Sequence, residues 1–207
     1  MQAHGDTLFT PTEAAVLTQL SVKAVNNAID KKTVPIVAGR RAGHAPRLLD
    51  LRALISLALE RRLADRFVPK LRREVFDALA TAPCDRVSLE GGFLTIDLRE
   101  PRRDLATALR ALRRARDIVV SDPDIMGRNP VFRGTGIPVH LIATLIGQCS
   151  TEDDLLEAYP RLTAEMVHLA PTYAAAYPLR GRPRAQPWHG QPPVRSTRRK
   201  LATIEVR

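Results

Sequence analysis

Apolar positions along the chain recur with helical spacing in several separate stretches. Val22, Val25 and Ile29 form one such set, Leu51, Leu54, Ile55 and Ala58 a second, Leu71, Val75 and Leu79 a third, and Leu105, Ala108, Leu109 and Leu112 a fourth. Each set lays an apolar stripe along one helix face and leaves the other face to water. Local signals place the helix starts. Thr10 is an N-cap with Pro11 at the first helical position and Glu13 where a capping box needs it, Ser21 caps a second helix and Asp50 a third. Val34 to Val37 and Arg47 to Leu49 read as strands, joined by the basic loop Gly39 to His44. Two short helices, a basic wing and a closing helix are expected over residues 8–66.

The middle of the chain changes period. After a helix from Pro69 that ends near Pro83, a hairpin is predicted around a two-residue Gly91-Gly92 turn, with Leu89 opposite Leu94 and Val87 opposite Ile96 on one side. A lone two-stranded hairpin is barely stable in water, so this face needs cover from neighbouring helices or from a second copy. A homodimer is therefore expected. A helix from Pro101 then carries Arg102, Arg103, Arg110, Arg113 and Arg114 opposite its apolar stripe, and Ile118 to Val120 reads as a strand.

From Asp122 to Tyr177 three short helices are expected. A tight turn at Gly134-Thr135-Gly136 leads into Val139 to Ile146. Ser150 or Thr151 caps the next helix, whose first turn holds Glu152, Asp153 and Asp154, and Thr163 starts the last one after a stop at Tyr159-Pro160. The string GRNPVFRGTGIPV, followed by STEDDLLEAYPRLT, resembles the small helix-turn-helix domain of a bacterial family related to VapB antitoxins, over about Ile118 to Tyr177. That resemblance implies a partner toxin of the PIN-nuclease type, whose site holds Mg²⁺ on a cluster of carboxylates. The order of elements over residues 8–66 resembles the winged helix-turn-helix of the MerR and excisionase families, which implies DNA binding.

Charge sharpens this division. The net charge of +10 splits into +4 for residues 1–66, +3 for 67–120, −4 for 121–179 and +7 for 180–207. The acidic third segment suits protein contact better than phosphate contact, whereas the tail combines prolines with arginines and the chain's single tryptophan, Trp188. Such a tail is expected to be extended and without fixed structure on its own. Cys84 and Cys149 have no ligand-spaced neighbours, and no catalytic or metal-binding motif is present, so neither an enzyme nor a cofactor is expected. No run of about 18 apolar residues suggests a membrane span, which points to a cytoplasmic protein.

The expected architecture is mainly α with small β-hairpins (α+β): two helix-turn-helix-type modules joined by a hairpin-containing middle segment, plus an extended C-terminal tail. The segments are 1–66 (DNA-binding), 67–120 (dimerisation), 121–179 (the VapB-like helical domain) and 180–207 (toxin-binding). On the head, Ser21, Lys23, Asn26, Asn27 and Lys31 of the second helix and Arg40 and Arg41 of the wing are the expected contacts to operator DNA. On the tail, Arg180, Arg182, Arg184, Trp188, Arg195, Arg198 and Arg199 are the expected contacts to the toxin. The function expected is that of an antitoxin that inhibits a PIN-type ribonuclease and represses its own operon. The alternative is a stand-alone transcriptional regulator with a nonspecific basic tail.

Overall fold

The Thr10 hydroxyl accepts from the Glu13 amide (3.3 Å) while the Glu13 carboxylate accepts from the Thr10 amide (2.7 Å), so the expected capping box starts α1 (Pro11–Thr18). The structure is a computed structural model that describes residues 8–31, 33–34, 37–38, 47–64, 66–81, 85–121 and 129–179. Gln19 ends α1 in the left-handed region (φ 56°), turning the chain sharply. The Ser21 hydroxyl then accepts from the Ala24 amide (3.1 Å) and starts α2 (Val22–Asp30). β1 (Val37–Ala38) pairs antiparallel with β2 (Arg47–Leu48), and Phe9 closes onto Leu49 through two backbone hydrogen bonds of 2.8 and 2.9 Å. Asp50 caps α3 (Leu51–Leu63) by accepting from the Ala53 amide (2.8 Å). The head therefore has the element order read from the sequence. The wing loop, with Arg40, Arg41 and His44, lies outside the described residues.

After α4 (Pro69–Thr81), β3 (Arg86–Leu89) pairs with β4 (Leu94–Asp97) in the expected register, Leu89 opposite Leu94 and Val87 opposite Ile96. The connection differs from the two-residue turn. Pairing stops at Leu89–Leu94, and one 3₁₀ turn over Glu90–Gly92 closes the loop with Gly91 and Gly92 at positive φ, leaving Phe93 91% exposed at the tip. Val87 packs with Leu59, Leu63, Val75, Phe76 and Leu98, and Leu89 and Ile96 rest against them. Of the two sources of cover that the hairpin required, α3 and α4 of the same chain supply it.

α5 (Arg99–Asp117) starts two residues before the expected Pro101, with the Asp97 carboxylate accepting from the Arg99 amide (2.9 Å). β5 (Val119–Val120) pairs with β6 (Val131–Phe132), a strand not expected from the sequence. Arg133 then donates from its backbone to the Ile118 carbonyl (2.8 Å) and from its guanidinium to the Asp117 carbonyl (3.1 Å), satisfying the end of α5. The turn at Gly134-Thr135-Gly136 is present. Both glycines have positive φ, and the Thr135 hydroxyl donates to the Phe132 carbonyl and accepts from the Ile137 amide, each at 3.0 Å. Three helices follow: α6 (Val139–Gly147), α7 (Glu152–Ala158), started by a Thr151–Asp154 capping box, and α8 (Ala164–Ala176), capped by Thr163. They enclose a core of Phe132, Val139, Ile142, Leu155, Val167 and Ala170.

The described chain is thus mainly helical with three two-stranded antiparallel sheets, an α+β architecture with a helix-turn-helix-type module at each end. The cores cross the segment boundaries at 66 and 120. Leu105 and Leu112 of α5 and Ala176 of α8 join Phe9, Leu17 and Leu54 in the head core, and α8 packs against α1, α5 and α6 together. Residues 180–207 lie outside the described residues.

Candidate nucleic-acid interface and the junction beneath it

Val25, Ala28 and Ile29 bury one side of α2 in the head core, which turns Ser21, Lys23, Asn27, Asp30 and Lys31 outward. Asn26 is half-buried at the edge of this face. Ser21 uses its hydroxyl oxygen as the helix cap, which leaves the O–H free to donate. Asp30 places a negative charge on the same face. Arg47 of β2 binds it (2.7 Å, both side chains about half exposed), so the wing strand both braces α2 and offsets its one carboxylate. Sequence reasoning did not find this pair, because the two residues come from different elements. Of the expected DNA contacts, α2 gathers Ser21, Lys23, Asn26, Asn27 and Lys31. Arg40 and Arg41 fall outside the described residues, as do all the expected tail contacts, Arg180, Arg182, Arg184, Trp188, Arg195, Arg198 and Arg199.

Behind α2, a groove of about 630 Å³ opens between α2, α3 and α4, with Asn27 and Lys31 on its near wall and Arg61, Arg72 and Arg73 on its far wall. A second groove of about 440 Å³, floored by Leu51, Ile55, Leu79 and Leu105, lies between α3, α4 and α5.

Below the head, the Glu13 side chain is 4% exposed and serves more than its cap. One carboxylate oxygen accepts from the Thr10 amide and hydroxyl (2.7 and 3.0 Å). The other accepts from the Tyr177 hydroxyl (2.5 Å) and pairs with the Arg116 guanidinium. Arg116 also donates to the Tyr177 hydroxyl and lies 5.4 Å from the centre of its ring. His140 Nε2 donates to the Tyr177 carbonyl (2.8 Å), and the Tyr173 ring stacks at a tilt on Tyr177 (4.8 Å between centroids). Burial pushes the Glu13 carboxyl up, but the bonds from Tyr177 and Thr10 and the charge of Arg116 outweigh it and hold the group below its ordinary value. The Tyr177 hydroxyl is driven well above the usual phenol range by burial and by its bond to Glu13. The junction thus holds a stable carboxylate and a neutral phenol, which suits a structural clasp between α1, α5 and α8.

Among the described residues no group of three or more His, Cys, Asp or Glu side chains is placed to hold a metal ion, and no helix is long and apolar enough to cross a membrane.

The described fold is that of a helical head with a two-stranded antiparallel sheet, clasped through Glu13 and Tyr177 to a small acidic helical module. The family described as "Protein of unknown function (DUF433)" matches residues 119–174, the span from β5 to α8. Over 185 residues the chain is 36% identical to the uncharacterized protein y4eO of Sinorhizobium fredii (strain NBRC 101917 / NGR234), a match covering 84% of this chain and 83% of that one. The chain belongs to the same family as that protein. No solved structure matches it.

Proposed function

We propose that this chain is the antitoxin of a type II toxin–antitoxin system, binding its own operator through α2 and the wing and inhibiting a PIN-type ribonuclease through its basic tail. The observation that carries the DNA half is the outward face of α2. Lys23, Asn27 and Lys31 stand exposed on a helix reached by a three-residue turn, and the wing strand neutralises the one acid among them. Amides and cations on such a helix match base edges and phosphates in a major groove. The toxin half rests on the resemblance of residues 118–177 to VapB-related antitoxins and on the +7 charge of residues 180–207, which complements a carboxylate-lined nuclease site. In this reading the protein acts without a cofactor and without catalysis of its own, works in the cytoplasm, and binds the operator as a homodimer, since two half-sites need two heads.

The clasp favours a second reading. Because Glu13 and Tyr177 join the acidic module to the head, residues 121–179 also suit the role of a buttress in a stand-alone transcriptional regulator. Co-expression with the product of the neighbouring reading frame, expected in this reading to be a PIN-type nuclease, together with fluorescence anisotropy on the chain's own promoter, tests both. Rescue of growth with promoter binding supports the antitoxin. Promoter binding without rescue leaves the regulator, and failure of promoter binding removes both.

A further inference from the structure

We propose that the groove between α2, α3 and α4 binds a small amphipathic organic anion, an apolar body with a carboxylate head, and that its occupancy competes with nucleic acid for α2. At about 630 Å³ the groove has the size of a small-molecule site. Its floor is apolar, with Leu20, Ala28, Leu57 and Phe76 among its residues, and its rim carries Lys31, Arg61, Arg72 and Arg73 against the single carboxylate Glu60.

The state of those cations decides what fits. Arg72 pairs with Glu60 through its terminal nitrogen, but its Nε–H is buried and has no hydrogen-bond partner, although buried polar groups are as a rule paired. Arg61 donates to the neutral Gln19 amide (2.6 Å), and Lys31 and Arg73 make no ion pair with another described residue. Positive charge in excess over an apolar floor repels a cation, and a neutral lipid would cover the floor while leaving the rim unpaired, so it binds more weakly. A bare inorganic anion would leave the floor uncovered, and only a molecule with both parts satisfies the floor and the rim. The link to nucleic acid follows from shared residues. Asn27 and Lys31 form the α2 wall of the groove and also part of the outward face, so an anion seated beside them neutralises Lys31 and repels an approaching phosphate. This second half rests on the DNA reading of α2; the binding half does not.

The test is calorimetry on the full chain with decanoate, decanol and sulfate as probes, followed by DNA binding with and without decanoate. One decanoate per chain should bind at least tenfold more tightly than decanol, with sulfate weaker still. Arg73→Glu should weaken decanoate tenfold or more and leave decanol unchanged. Ala64→Trp, which projects from the exposed end of α3 into the groove, should abolish both while the circular dichroism spectrum stays that of the wild type. Saturating decanoate should lower promoter affinity at least tenfold. Absence of saturable binding, decanoate binding indifferent to both variants, or sulfate binding as tightly as decanoate would each overturn the proposal, as would decanoate binding that leaves promoter affinity unchanged. A chain that binds decanoate in the expected way but never binds its promoter overturns the DNA reading and the competition, while the site itself stands.

Discussion

The Tyr177 hydroxyl donates to the Glu13 carboxylate, 164 residues earlier in the chain, at 2.5 Å. Glu13 belongs to the capping box that starts the first helix of the head, and Tyr177 is the C-cap of the last described helix. The clasp therefore fixes the end of α8 to the first helix of the head. It also explains a buried carboxylate inside an otherwise apolar core, because Thr10, Arg116 and Tyr177 together occupy both of its oxygens.

Removing the phenol oxygen tests how much this clasp holds. Tyr177→Phe keeps the ring contacts with Tyr173 and Arg116 and deletes the bond to a buried charge, a loss of about 1.5–3 kcal/mol. Arg116→Ala should cost about 1–2 kcal/mol, less than breaking a fully buried pair, because its side chain is 40% exposed and solvent screens it. Urea unfolding of the two variants measures both. A midpoint unchanged in Tyr177→Phe would show that the clasp contributes nothing.

The same group sets a direction for pH. The folded Glu13 carboxyl lies below its ordinary value of 4.5, so its contribution is fully present above that value and is lost as pH falls through it toward the lower folded one. Tyr177 has the opposite sign. Its folded value is raised above 10.0, so its contribution is present below that value and is lost at higher pH. Glu13→Gln should therefore flatten the acid side of the stability profile and also soften the alkaline side, because the bond to Glu13 is one cause of the raised Tyr177 value, and unfolding curves from about pH 3 to about pH 11 would reveal both.

The helix starts were legible because capping is local. Thr10 with Glu13, Ser21, Asp50 and Thr163 each act within three residues of themselves and each is in place, and of the two candidates Ser150 and Thr151 it is Thr151 that caps, with Asp154 completing a capping box. The register of Val87 with Ile96 was legible for the same reason, since alternation and a nearby turn determine it. What lay beyond the sequence is long-range. β6 is only two residues, Val131 and Phe132, set among proline and glycine, and it is a strand because Val119 and Val120 arrive beside it. Glu13 was fully explained by its cap, so nothing in the local pattern disclosed that its other oxygen serves Arg116 and Tyr177. The Asp30–Arg47 pair escaped in the same way.

That pair bears on the DNA reading. Asn27→Ala should cost about 1–3 kcal/mol at the cognate site and little elsewhere, while Lys31→Ala should weaken all sequences and reduce the salt slope by about 1. Arg47→Ala should do more than delete one charge, because it leaves Asp30 uncompensated on the face that the DNA reading sets against phosphate. Asp30→Ala in that background should restore affinity. Anisotropy at two salt concentrations reads all four variants, and an Arg47→Ala loss that Asp30→Ala does not recover would exclude this role for the pair.

The tail separates the two functional readings. If it inhibits a nuclease, its effect is concentrated in one or two arginines meeting carboxylates and in Trp188 filling an apolar slot, so Trp188→Ala should cost about 2 kcal/mol or more in toxin affinity. Truncation after Leu179, which keeps Tyr177 and its bond to Glu13, should then abolish inhibition and leave promoter binding nearly intact. If the tail is a general DNA clamp, the basic residues from Arg180 to Lys200 act as interchangeable charges. Truncation should then lower promoter affinity and the salt slope together, with Trp188 almost silent. A tail of phosphate contacts has no use for the chain's single tryptophan, which favours the first outcome. Toxin and promoter affinities of the full chain, the truncation and Trp188→Ala decide between them, and a truncation that loses promoter binding yet still silences the nuclease would remove the antitoxin role assigned to the tail.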